Sequence, residues 1–127
     1  MEYTIHYYSD AVANEIIALP DSLAARYIVL SSRMLALGPN LGEPHTKAIG
    51  AGLFELRLKA SEGIARVFYC SLVERRITML HSFVKKSQKL PAKELEKAQK
   101  RMKEVKNEAA QRRSEKTDEP AGRKSRG

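Results

Sequence analysis

The side chains best suited to chemistry in this chain are cations on three successive segments. Arg57 and Lys59 alternate with apolar residues in LFELRLK, Arg66 lies within IARVFYCS, and Lys85, Lys86 and Lys89 follow RRITMLHSFV. One carboxylate, Glu55, and two rings, Tyr69 and His81, share these segments, and Lys47 precedes them. Guanidinium groups grip phosphate through paired N–H donors and offset the extra charge of a pentavalent phosphorus. A lysine crowded by other cations has its ammonium form disfavoured, so it can act as a base. Aromatic and guanidinium planes stack on splayed bases. Such a constellation suits RNA. Each residue also has a plainer reading. Arg57 and Glu55 can be a cross-strand ion pair, His81 a half-buried strand histidine and Tyr69 a core residue with a wet hydroxyl. Lys85 and Lys86 can be guards against edge-to-edge aggregation.

Other chemistries find little support. There is no Ser-His-Asp spacing, no HExxH, no CxxC and no close carboxylate pair on one strand. His6, His45 and His81 are scattered, so no metal site and no cofactor are expected. Cys70 is the single cysteine, which excludes an internal disulfide framework and a cysteine-based zinc site. No apolar run approaches the ~20 residues that span a bilayer, so no membrane association by a spanning helix is expected. The segment MEYTIHYYSD has neither the basic nor the apolar region of a secretory signal, and a cytoplasmic protein is the expectation.

The elements that must position these residues follow from pattern. At 127 residues one domain is expected. The net charge of +8 is unevenly spread: residues 1–84 hold eight basic and eight acidic residues, whereas residues 85–113 hold eleven basic against four acidic. A neutral scaffold followed by a basic block predicts a localised attraction to polyanions. Residues 3–8 read as a strand, and Ser9 or Asp10 can cap a helix carrying Val12, Ile16 and Leu19. Pro20 ends it. A second helix, capped by Asp21 or Ser22, has Leu23, Tyr27, Leu30, Met34 and Leu37 on one face, until Gly38-Pro39. Residues 38–52, rich in Gly and Pro, read as a loop. The period then changes to two: Phe54, Leu56 and Leu58 share one face of a strand, and Glu55, Arg57 and Lys59 the other. Residues 64–71 and 75–84 complete an antiparallel meander. After Pro91, Leu95, Ala98, Met102, Val105 and Ala109 form the narrow apolar stripe of a basic helix. The expected fold is α+β, in the order β-α-α-β-β-β-α, with helices against one face of an antiparallel sheet. The domain is expected over residues 1–110, with residues 111–127 a basic disordered tail.

GLFELRLK (52–59), ARVFYC (65–70) and ITMLHSFVKKSQKLPAKELEKAQKRM (77–102) resemble the HigB-type, phage-derived branch of the RelE/ParE toxin superfamily. The resemblance runs from Tyr3 to about Val105, and the strand–HxFxKKxQKxP–helix segment is its most specific part. It implies a RelE-like microbial ribonuclease fold and the toxin of a type II toxin–antitoxin system. Such toxins enter the ribosome and cut mRNA during translation, without metal, by attack of a ribose 2′-hydroxyl on the adjacent phosphate. The family's basic cluster falls on Arg57, Arg66, Lys85 and Lys86 as the catalytic set. RNA contacts are assigned to Lys47, Glu55, Lys59, Tyr69, His81 and Lys89. The implied partners are the ribosome, mRNA and a helix-turn-helix, HigA-like antitoxin, which alone would contact operator DNA. A gyrase poison on the same fold, or a degenerate protein that only binds antitoxin, are the alternatives. Two features depart from the pattern: Leu90 stands where a capping Thr is common, and the tail beyond Val105 is long.

Overall fold

A computed structural model describes residues 2–86 and 91–118, with side-chain surroundings to Ser114. The elements are β1 (Thr4–Tyr7), α1 (Asp10–Ile17), α2 (Asp21–Leu37), β2 (Thr46–Gly50), β3 (Leu53–Ala60), β4 (Gly63–Val73), β5 (Arg76–Val84) and α3 (Ala92–Asp118). The protein is α+β, with three helices and a five-stranded sheet in the order β1-β5-β4-β3-β2.

The expected meander is present: β3, β4 and β5 pair antiparallel in sequence. Two expectations about the sheet need correction. The segment read as a loop over 38–52 contains β2, which pairs antiparallel with β3 and adds a fourth strand between α2 and α3. Its composition gives weak alternation, and the strand forms because the backbone edge of β3 needs hydrogen-bond partners. The sheet is also mixed, since β1 lies parallel to β5 at the far edge.

The helices lie on both faces of the sheet, not one. Val12, Ile16 and Leu19, with Leu23, Tyr27, Leu30 and Met34, cover Leu56, Leu58, Ala65, Val67, Tyr69, Ile77 and Met79. Across the sheet, Leu95, Ala98, Met102 and Val105 of α3 pack near Leu53, Phe68, Cys70 and Leu80. β4 is the reason. Its alternate residues Val67 and Tyr69, and Phe68 and Cys70, are all buried, so apolar surface on both sides needs a cover. Leu37 departs from the expected face of α2 and is 65% exposed. Gly38 ends that helix at φ 94°, and a Cβ there would meet the Tyr3 ring at 3.1 Å, so glycine suits the turn on two grounds.

Capping is local in one helix and tertiary in the other. Ser9 Oγ accepts from the Val12 N–H at 3.3 Å at the start of α1. At the start of α2, Pro20 offers no side-chain acceptor. Glu62, in the β3–β4 turn, supplies one instead: its Oε1 accepts from the Ser22 N–H at 2.7 Å, and its own N–H donates to Ser22 Oγ at 3.2 Å. This reciprocal pair does from forty residues away what a capping box does within one helix.

At its other end the chain stays helical further than expected. α3 continues to Asp118, so residues 111–118 are helical where a disordered tail was predicted. Gln, Arg, Glu and Lys are good helix formers, and Arg112 lies 3.9 Å from Glu108 one turn earlier. The Leu90 departure and Lys89 lie outside the described residues.

The Ser22 contacts hold the Glu62 carboxyl below its ordinary range, chiefly through the backbone hydrogen bond. A depressed folded pKa contributes stability that is present above the unfolded value and lost as pH falls through the folded one. Glu62→Gln should therefore lower stability near neutrality, with the difference from the wild type shrinking as pH falls through the acid limb. Thermal melts of both proteins from roughly pH 6 down to 3 check this; parallel curves would refute it.

Candidate functional site

The three-strand register brings the cationic residues together on the face that α3 partly covers. Lys47, Glu55, Phe68 and His81 form one cross-strand row on β2 to β5. Arg57, Arg66 and Phe83 form the next row, and Lys59 stands opposite Ile64 in the row after. α3 packs over the side of Phe68 and Leu80, so the arginine row lies towards the uncovered end of this face.

Two arginines directly opposite each other repel. Glu55 offsets this. Its side chain is only 6% exposed, and its Oε1 accepts from Arg57 Nε at 3.2 Å. Its Oε2 lies 3.4 Å from Arg66 Nε, an ionic contact rather than a well-formed hydrogen bond. Arg57 also reaches exposed Glu43, at 3.7 Å from Nη1, and Arg66 Nη1 donates to the Ala65 carbonyl at 3.4 Å. Burial pulls the Arg66 guanidinium below the usual arginine range; Glu55 opposes that shift and Arg57 adds to it. The group stays charged, as arginine does in proteins. Exposure falls from 29% at Arg57 to 12% at Arg66, so the pair is partly desolvated and its field is screened less than that of free surface charges.

The lysines surround this pair at greater exposure. Lys47 and Lys59 are exposed. The Lys85 N–H donates to the Ile64 carbonyl at 2.8 Å, which carries the β4–β5 ladder one step past the end of β5. Lys86 is the next residue and is exposed. A cleft of about 460 Å³ beside the pair is lined by Arg26, Pro44, His45, Arg57, Lys59, Ile64 and Arg66. Arg26 and His45 were not singled out from sequence. Arg26 belongs to α2 and His45 to the segment before β2, and no local pattern connects either to the sheet.

Three sequence-based assignments change. Tyr69 was expected to stack on RNA, but it is fully buried on the opposite face, stacked on Phe54 at 5.3 Å between centroids. Its hydroxyl donates to the Pro39 carbonyl, and burial pushes its pKa up. His81 was also expected to touch RNA; it is buried against α3 and bonds Glu94 through Nε2. Glu55 is likewise buried rather than presented to a ligand. Phe83, which was not singled out, is the ring on the cationic face: it sits opposite Arg66, with Phe68 at 5.8 Å and His81 at 6.1 Å. Alternation within the strand, counted from Arg66 across the pair, was the signal that could have found it.

A second cleft of about 170 Å³ lies at the β1 edge against α3, with His6, Thr78, Arg76, Arg112, Glu104 and Glu108 among its lining. Burial, then Arg76 and Arg112, lower the His6 pKa. Its two arginines are matched by two glutamates, so it lacks the cationic surplus of the sheet face. Among the described residues no group of His, Cys, Asp and Glu could hold a metal ion, and no helix is long and apolar enough to cross a membrane.

Fold and site together define a small α+β domain whose sheet presents a clamped pair of arginines among exposed lysines. The chain belongs to the phage derived protein Gp49-like family (DUF891), whose family model matches residues 14–103. This is a toxin-like family of the RelE/HigB kind. The match takes in every candidate site residue and leaves out β1 and the last turns of α3. No curated protein matches the chain.

Tyr69→Phe separates structure from function at this site. It leaves the Pro39 carbonyl without its buried donor and should cost about 1–3 kcal/mol in urea unfolding. Nucleic-acid binding by the folded variant should equal that of the wild type in a filter or anisotropy assay. A selective loss of binding would restore Tyr69 to the site.

Proposed function

We propose that this protein is the toxin of a type II toxin–antitoxin system, acting as a ribosome-dependent endoribonuclease on mRNA. The observation that carries the reading is the Arg57–Glu55–Arg66 arrangement on an open, lysine-flanked sheet face. Membership of a phage-derived, toxin-like family supports it.

The chemistry is transesterification within the RNA. The ribose 2′-hydroxyl loses its proton and attacks the adjacent phosphorus, and the P–O5′ bond breaks as the leaving oxygen is protonated. The products are a 2′,3′-cyclic phosphate and a 5′-hydroxyl. Negative charge on the phosphate rises at the pentavalent stage. Arg57 and Arg66 are the groups suited to stabilise it, because their positions are set before substrate arrives and need no reorganisation. Lys85 or Lys86, at the exit of β5, is assigned as base or as a further charge stabiliser. Lys47, Lys59 and Lys89 are assigned to hold the RNA backbone, and Phe83 replaces Tyr69 as the ring for base stacking. The lysines of α3 supply attraction to ribosomal RNA, which salt should weaken. The proposed partners are the ribosome, mRNA and a helix-turn-helix antitoxin, through which operator DNA is contacted.

Induced expression of the wild type should arrest growth, with mRNA ends bearing 5′-hydroxyls inside translated regions. Arg57→Ala with Lys85→Ala should abolish the arrest and reduce cleavage by about 10²-fold or more, the scale for loss of a preorganised charge stabiliser. Circular dichroism confirms that the variant folds. A folded double variant as toxic as the wild type overturns the site assignment. DNA damage with intact mRNA would identify gyrase as the target instead.

A further inference from the structure

Glu55 was expected among the RNA contacts, yet its surroundings give it different work. A carboxylate facing a phosphate backbone repels it, and one that is 6% exposed with both oxygens turned to guanidiniums is poorly placed to serve a base edge or a 2′-hydroxyl. What it does engage is specific. Oε1 meets Nε of Arg57 and Oε2 faces Nε of Arg66, the same edge of each guanidinium. Among the described residues, Arg57 Nη1 has only the long contact to Glu43, and Arg66 Nη1 only that to the Ala65 carbonyl. Among the described residues, neither Nη2 makes a hydrogen bond.

We propose that Glu55 is the positioning residue of the cationic site: it holds Arg57 and Arg66 by their Nε edges so that their terminal amino groups converge on one phosphate. The assignment rests on the nuclease reading for its chemical consequence, though not for its geometry. The two arginines sit directly opposite in the ladder, so without a shared anion they would swing apart. With Glu55 between them the repulsion is offset at the buried side, and both arginines line the adjoining cleft. Glu55 also lowers the net charge of the site by one. It therefore trades attraction to polyanions for a fixed geometry, and the two effects have opposite signs in an experiment. Groups that hold metal ligands in place commonly matter by about 10–100-fold, and a carboxylate that holds two guanidiniums is assigned the same scale.

The test separates binding from turnover in the full chain. For Glu55→Gln, cleavage of mRNA in a reconstituted translation reaction should fall about 10–100-fold. Binding of an uncleavable 2′-deoxy oligonucleotide should be unchanged or tighter, with a salt dependence at least as steep. Arg57→Lys keeps the charge but loses the Nε edge, so it should also lose turnover more than binding. A third readout needs no activity. The Nε–H proton of Arg57 should exchange slowly with solvent in the wild type and quickly in Glu55→Ala, seen by nitrogen-edited NMR. Wild-type turnover in Glu55→Gln overturns the proposal, as does weakened oligonucleotide binding at unchanged melting temperature, which would make Glu55 an RNA contact. A wild-type protein that cuts no mRNA overturns the nuclease reading alone, and the exchange and binding measurements still decide the role of Glu55.

Discussion

Strand β4 carries apolar side chains on both faces, with Val67 and Tyr69 turned to α1 and α2 and Phe68 and Cys70 turned to α3. That constraint shapes the rest of the molecule. Each face must be removed from water, at about 25 cal/mol for every Å² of apolar surface, so helices are needed on both sides. The N-terminal hairpin of α1 and α2 covers one face from β1 to β3. The single helix α3 covers the other, and one helix is too narrow for five strands. The uncovered remainder is where Arg57 and Lys59 stand, beside the less exposed Arg66 and the buried Glu55. The open site is thus a consequence of unequal cover: two helices on one side, one on the other.

The charged face then has to remain stable beside a core. A cross-strand arginine pair on its own works against the sheet. Glu55 resolves this with one buried carboxylate shared by two guanidiniums, partly desolvated and short of the exposure at which salt would erase it. At the neighbouring row His81 meets Glu94, which ties the first turn of α3 to the sheet beside the site. A bulge at Leu80 follows, where β5 spends two residues against one of β4. The Leu80 carbonyl accepts from Arg101 at 2.8 Å, and Arg101 also lies over the Tyr8 ring at 4.8 Å. So α3 is held by polar contacts on the rim of its apolar stripe. Its position, which sets the edge of the open surface, does not depend on Leu95, Ala98, Met102 and Val105 alone.

The distribution of charge divides labour between affinity and geometry. α3 and the segment leading into it carry most of the excess positive charge, which attracts polyanions over a Debye length. The neutral part of the chain contributes the two arginines that one buried carboxylate holds in place. Net charge thus reports how strongly the protein is drawn to a polyanion. It says little about the step that follows contact.

Much of this was legible in the amino-acid sequence. Period-two alternation in LFELRLK placed Glu55, Arg57 and Lys59 on one face, because side chains of a strand can only point two ways. Helical periodicity identified Val12, Ile16, Leu23, Tyr27, Leu30 and Met34 as core, and the break in charge at Lys85 marked the basic block. Local pattern could not say what lies across a strand. Tyr69 and Phe83 are both rings on apolar-looking strands; alternation within β4 turns Tyr69 away from Arg66, and the β4–β5 register puts Phe83 beside it. Likewise β2 exists because β3 has an edge to pair, and Glu62 caps a helix forty residues away. The sequence by itself determined which residues are apolar, where the periods change and which strands carry the cations. Tertiary structure alone decided which cations face each other and which carboxylate lies between them, because those contacts join segments that no local interaction connects.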